Sequence, residues 1–251
     1  MCIMVDLIVM FIAMLVIFLI LFRLRKALFF FGFFFKLFSI VVIVIIAGSI
    51  LFAYLVIQDA NNFRMNFANS SNMFIMKENI NGTDVFLTGI SLNIHNRSFV
   101  PMSEESVAEA QRLYAAGKIG TLSKDYYKIF VVDMESLDNV SLYNISDKNV
   151  QLTKDEIKRI LESKNAREEF AAITAGKQHT DMDTVLSNLK VSDEELKGYL
   201  FSYYISTIFD PKNMGEFLIQ LQNDNIKVYD DTMMFRAIKF VPVSLVEKMI
   251  N

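Results

Sequence analysis

The chain has one cysteine and two histidines among 251 residues. The single thiol, Cys2, lies at the start of an apolar run and reads as inert, because it lacks the preceding signal segment of a lipoprotein. Everything after it is therefore without an internal disulfide, a thiolate metal site or a cysteine nucleophile. No Gly-x-Ser-x-Gly and no His-Glu-x-x-His occurs, so the local signatures of a serine-hydrolase elbow and a zinc peptidase are missing. Ala116-Gly117-Lys118 and Ala175-Gly176-Lys177 set a base after a glycine. Neither has the upstream glycine or the following Ser or Thr of a phosphate loop, and both read as glycines ending helices. Composition excludes disorder, collagen and a disulfide scaffold, and there is no internal repeat.

What the chain has in excess is apolar residues: 53% of the total, crowded at one end. Met1–Val5 and Leu7–Phe22 are apolar throughout, interrupted by Asp6 alone. Leu37–Ile57 is a further run of 21 residues whose polar members are Ser39, Ser49 and the Tyr54 hydroxyl. Each is long enough to cross a hydrocarbon core, which takes about 20 helical residues. The first run has no leading Lys or Arg, exceeds the apolar core of a signal peptide, and ends in Arg23-Leu24-Arg25-Lys26, so it reads as a retained membrane helix.

The four bases of this end, Arg23, Arg25, Lys26 and Lys36, all lie between the two runs. Short basic loops stay in the cytoplasm, which puts the N-terminus and everything after residue 57 outside. The expected organisation is a transmembrane helix over 1–22, a Phe-rich cytoplasmic loop over 23–36, a second helix over 37–57, a linker over 58–72 and an outer domain over 73–251. The loop phenylalanines, Phe29–Phe31 and Phe33–Phe35, are expected at the lipid interface. Ala47, Gly48, Ser49 and Ala53 form a small-residue patch expected to meet the first span. Neither span has a charge near its centre, so the pair reads as an anchor rather than an ion path.

Residues 1–57 carry a net charge of +3 and the remainder −6, a sign that repels nucleic acid. In the outer part, Met73–Lys77 and Val85–Ile94 flank an Asn81-Gly82 pair, the pattern of a β-hairpin. Ser103 opens a helix closed by Gly117, and Tyr127–Asp133 reads as an interior strand. Thr153-x-x-Glu156 and Ser192-x-x-Glu195 are capping boxes, and Asn165 and Thr180 are further expected caps. Leu196, Tyr199, Leu200, Tyr203, Tyr204 and Ile208 form one helical stripe. A helix starting at Asp210-Pro211 presents Met214, Phe217, Leu218 and Leu221. Strands are expected at Ile226–Tyr229 and Met233–Phe240, and a last helix from Pro242 and Ser244. The expected fold is two N-terminal transmembrane helices followed by an extracytoplasmic α+β domain with a small sheet. Residues 70–251 are expected to fold as a soluble unit.

His179, Asp181 and Asp183 are the metal-ligand candidates, an imidazole and two carboxylates within five residues. The same acids suit the start of a helix beginning at Thr180, which is the plainer account. His95 reads as a loop residue. Five Asn-x-Ser/Thr triplets, at Asn69, Asn81, Asn96, Asn139 and Asn144, lie in expected loops on the side where glycans are added. Nothing points to a cofactor. The favoured expectation is a non-enzymatic membrane protein of the cell surface. It would have two spans, the lipid bilayer and other membrane or surface proteins as partners, and an acidic outer domain for interaction or assembly. The rivals are a membrane-tethered hydrolase or metal-dependent enzyme using His179, Asp181 and Asp183, and a sensor whose outer domain binds a small ligand.

Overall fold

A computed structural model describes residues 2–24, 32–67, 69–94, 98–137, 143–144, 149–210 and 213–242. They form two units, Met1–Leu55 and Val56–Asn251. The first holds helix α1 (Cys2–Leu24) and the opening turns of α2 (Gly32–Phe67). By length and composition the stretch Lys36–Phe67 can cross a membrane, whereas the apolar stretch Phe11–Phe22 of α1 is short for a crossing. The Ser49 hydroxyl donates to the Ile45 carbonyl of its own helix, and a Cβ at Gly48 would meet nothing within 4 Å. Close helix approach is therefore not made at Gly48. Phe33–Phe35 belong to the start of α2, while residues 25–31 of the expected loop lie outside the described residues.

α2 is an unbroken helix of 36 residues, about 54 Å long. The segment expected as a linker is thus helical as far as Phe67. Its last turns carry Phe63 and Phe67 four residues apart, and both pack against the domain's core. Phe67 stacks on Phe209 at 5.3 Å, and Phe63 meets the Phe235 ring edge-on at the same distance.

The second unit is an α+β domain built on a five-stranded mixed sheet, ordered β3-β2-β1-β4-β7. The strands are β1 (Asn72–Ile80), β2 (Thr83–Asn93), β3 (Ser98–Pro101), β4 (Lys128–Asp133) and β7 (Ile226–Tyr229). Strands β5 (Tyr143–Asn144) and β6 (Asn149–Val150) pair separately. β1 and β2 form the expected hairpin, with Asn81 and Gly82 at φ 53° and 81° as a tight two-residue turn requires. β4 runs parallel to β1 and lies inside the sheet, which explains its continuous apolar run Ile129–Val132.

Alternation along the strands sends residues to two cores. Met73, Ile75, Ile129 and Val131 face helix α3 (Glu104–Ala115) and the 3₁₀ turn Ile119–Lys124. Phe74, Met76, Phe130 and Val132 face the larger core. It is covered by α4 (Lys154–Glu162), α5 (Ala166–Gln178), α6 (Met182–Asn188), α7 (Asp193–Ile208), α8 (Met214–Gln222) and α9 (Met233–Ile238).

Both capping boxes form: Thr153 accepts from the Glu156 N–H and Ser192 from the Glu195 N–H, with each glutamate bonding back. Four expectations differ. Met233–Ile238 is helix rather than strand, since Met234 and Phe235 turn together onto the core. Asp181, not Thr180, caps α6, and Asn165 turns its amide to Glu168 instead of capping backbone. Gly176 lies within α5, which ends at His179 in the left-handed conformation. On α7 the buried face is Leu196, Leu200, Tyr204 and Ile208, while Tyr199 and Tyr203 stand exposed. The expected last helix lies outside the described residues.

Candidate functional site

β3 pairs with β2 only over Ile90–Asn93, so the flank of β2 from Val85 to Thr88 has no neighbouring strand among the described residues. Its backbone is nevertheless occupied. The Gln111 side chain accepts from the Phe86 N–H and donates to the Asp84 carbonyl, as a neighbouring peptide group would. The Met102 N–H donates to the Gly89 carbonyl at 2.9 Å. Between these points the register slips opposite Met76 and Lys77, a bulge that ends regular pairing.

Two helices wall this edge. α7 packs on β3 through Gly198, where a Cβ would sit 2.6 Å from the Pro101 Cβ. That contact brings Lys197, one residue earlier, to the edge. α3 stands on the other side, opened by Ser103 as its cap. Between them is a groove of about 350 Å³ whose apolar lining includes Val85, Leu87, Met102, Val107 and Ala108. Its polar lining is Thr88, Glu104, Gln111, Asp193, Glu194 and Lys197.

The charges in the groove are unequally engaged. Asp193 accepts from the Arg167 N–H at 2.7 Å, the contact that ties α7 to the start of α5. The Glu194 carboxylate is held below its ordinary pKa by hydrogen bonds from its own backbone N–H and from Ser192. Lys197 and Glu104 have no hydrogen bond or ion pair with another described residue. Burial pushes the Lys197 ammonium below the ordinary lysine range, against the opposing pull of Glu104, Asp193 and Glu194. Thr88 is only 5% exposed, and its hydroxyl also has no partner among the described residues. A cleft containing a desolvated, unpaired ammonium marks a candidate functional site.

Two other polar clusters are internally satisfied. At the carboxyl ends of β1 and β4, Lys77 bridges Asp133 at 2.7 Å and Asp84 at 3.1 Å. Burial works against its charge, but hydrogen bonds to Asp133 and Asp84 outweigh it and raise its pKa. Burial likewise opposes ionisation of Asp84, yet donors from Asn79, Lys77 and Tyr114 hold that carboxyl below its ordinary range. At the other end of β4, Lys128 is 2% exposed and donates to the Asp230 carbonyl at 2.6 Å, with its pKa depressed by burial.

The sequence-derived candidates fall elsewhere. The His179 N–H bonds the Ala175 carbonyl at the end of α5, Asp181 accepts from the Thr184 N–H, and Asp183 lies in the first turn of α6. All three are exposed. Among the described residues no group of three or more His, Cys, Asp or Glu side chains is gathered to hold a metal ion. Of the sequons, Asn81 is exposed at the hairpin tip, and Asn69 is exposed with its amide donating to the Met65 carbonyl at 2.7 Å. The backbone of Asn144 is in β5, and Asn96 and Asn139, like His95, lie outside the described residues. Sequence reasoning missed Thr88, Glu104 and Lys197. Their one trace is Gly198 inside a helix, a residue that signals close approach of another backbone.

No protein-family model, no curated protein and no solved structure matches the chain.

Proposed function

We propose that the chain is a membrane-anchored, non-enzymatic interaction or assembly protein. In this reading a two-span hairpin displays the acidic α+β domain outside the membrane, with Asn81 at its exposed hairpin tip open to glycan addition. The observation that carries the reading is the continuity of α2. One helix holds the apolar stretch and also supplies Phe63 and Phe67 to the domain's core. A domain welded to its anchor in this way cannot swing on a linker, which suits a part held at fixed orientation in an assembly. The basic residues between the two apolar runs support the direction of insertion.

Alkaline carbonate extraction of membranes, followed by light scattering in mild detergent, tests the reading. The chain should stay with the bilayer and emerge as a particle larger than one chain plus its micelle. Release by carbonate, or a strictly monomeric particle, contradicts it.

A further inference from the structure

We propose that the groove between α3 and α7 binds a free α-amino acid with an aliphatic side chain, such as leucine. The argument begins with what the groove cannot take. The backbone groups along β2 that an added strand would need are bonded to Gln111 and Met102, so an extended peptide finds little to pair with.

What remains open is a set of three side chains. Asp193 is committed to the Arg167 N–H, and Glu194 to its own N–H and Ser192. That leaves one cation, Lys197 on α7, one anion, Glu104 on α3, and the buried Thr88 hydroxyl at the floor. A ligand complementing one free cation and one free anion on facing walls is a zwitterion. Lys197 and the Thr88 hydroxyl would donate to its carboxylate, and Glu104 would accept from its ammonium. The apolar remainder, Val85, Leu87, Val107 and Ala108, asks for a hydrocarbon side chain. A volume of about 350 Å³ is at the small end of ligand pockets, which suits a single amino acid better than a larger metabolite. Binding needs no membrane and is independent of which side the domain faces.

The low dielectric of a half-buried site strengthens each charge-assisted hydrogen bond, so removing either ligand charge has a large effect. The test is calorimetric titration of the full chain in detergent micelles with L-leucine, leucine methyl ester, N-acetyl-leucine and isoamylamine. L-leucine should bind saturably. The ester and amine, which lack the carboxylate, and the N-acetyl compound, which lacks the ammonium, should each bind about ten- to a hundredfold more weakly. Lys197→Met should weaken L-leucine by a similar factor while leaving the already weak ester unchanged, and Glu104→Gln should do the same with respect to the N-acetyl compound. The ligand series is read on the unaltered chain, so it decides the matter even if a variant misfolds. Absence of saturable L-leucine binding up to about 10 mM, or equal binding of the ester or isoamylamine, overturns the proposal.

Discussion

The Asp59 carboxylate accepts a hydrogen bond from the Met234 N–H at 2.8 Å, joining residues 175 positions apart. It satisfies a free donor at the start of α9, where Thr232 makes no side-chain cap. The end of α2 therefore does for α9 what Thr153 and Ser192 do for their own helices. Asp59→Ala should lower the domain's stability by about 1 kcal/mol, and Asp59→Asn, which still accepts, by much less. Thermal unfolding of the full chain in micelles, followed by near-UV circular dichroism, checks both.

The same contact bears on where the domain begins. A chain starting at residue 70 lacks Phe63 and Phe67, which touch Phe235 and Phe209. It should lose its cooperative transition, whereas one starting at Val56 should keep it. In the full chain, Phe67→Ala should cost about 3 kcal/mol, the usual size for a truncated core phenylalanine.

The helix at Met233–Ile238 shows why sequence reading failed there. A short apolar run suits a strand or a helix equally, and the deciding cap comes from Asp59, far away in the chain. Where the signals are local, they were legible. Asn81-Gly82 states its turn in two residues, and the capping boxes at Thr153 and Ser192 state theirs in four. The groove was not legible, because Thr88, Glu104 and Lys197 meet only once α7 and α3 have packed against the sheet. His179, Asp181 and Asp183 were conspicuous for the opposite reason: adjacency in sequence resembles a ligand set, while the backbone uses the residues to end one helix and start the next.

Acid should weaken the cluster around Lys77. The folded pKa of Asp84 is below its ordinary 3.8, so its contribution is fully present above that value. It is lost as pH falls through the lower folded value. Lys77→Met leaves two carboxylates without their cation and should destabilise the domain by about 3 kcal/mol at neutral pH. The variant should recover part of that loss as the acids become protonated. Unfolding midpoints across an acid series, compared between variant and parent, give the sign directly.

Gly198 offers a steric test of how α7 sits. An added Cβ would lie 2.6 Å from Pro101, too close for either backbone to remain in place. Gly198→Ala should therefore cost about 1–3 kcal/mol, well above any gain in helix propensity. Gly120→Ala, where a Cβ meets nothing within 4 Å, is the matched control and should cost far less. Paired melting curves measure the difference.

The most direct test of the anchoring account is accessibility in intact cells. The native thiol is first removed by Cys2→Ser, and single cysteines are then placed by Asn81→Cys at the hairpin tip or by Gly32→Cys at the start of α2. A membrane-impermeant maleimide should label the Asn81→Cys chain in intact cells, and the Gly32→Cys chain only after permeabilisation. Labelling of the Gly32→Cys chain in intact cells, with the hairpin tip protected, contradicts the orientation and the outward display of the domain.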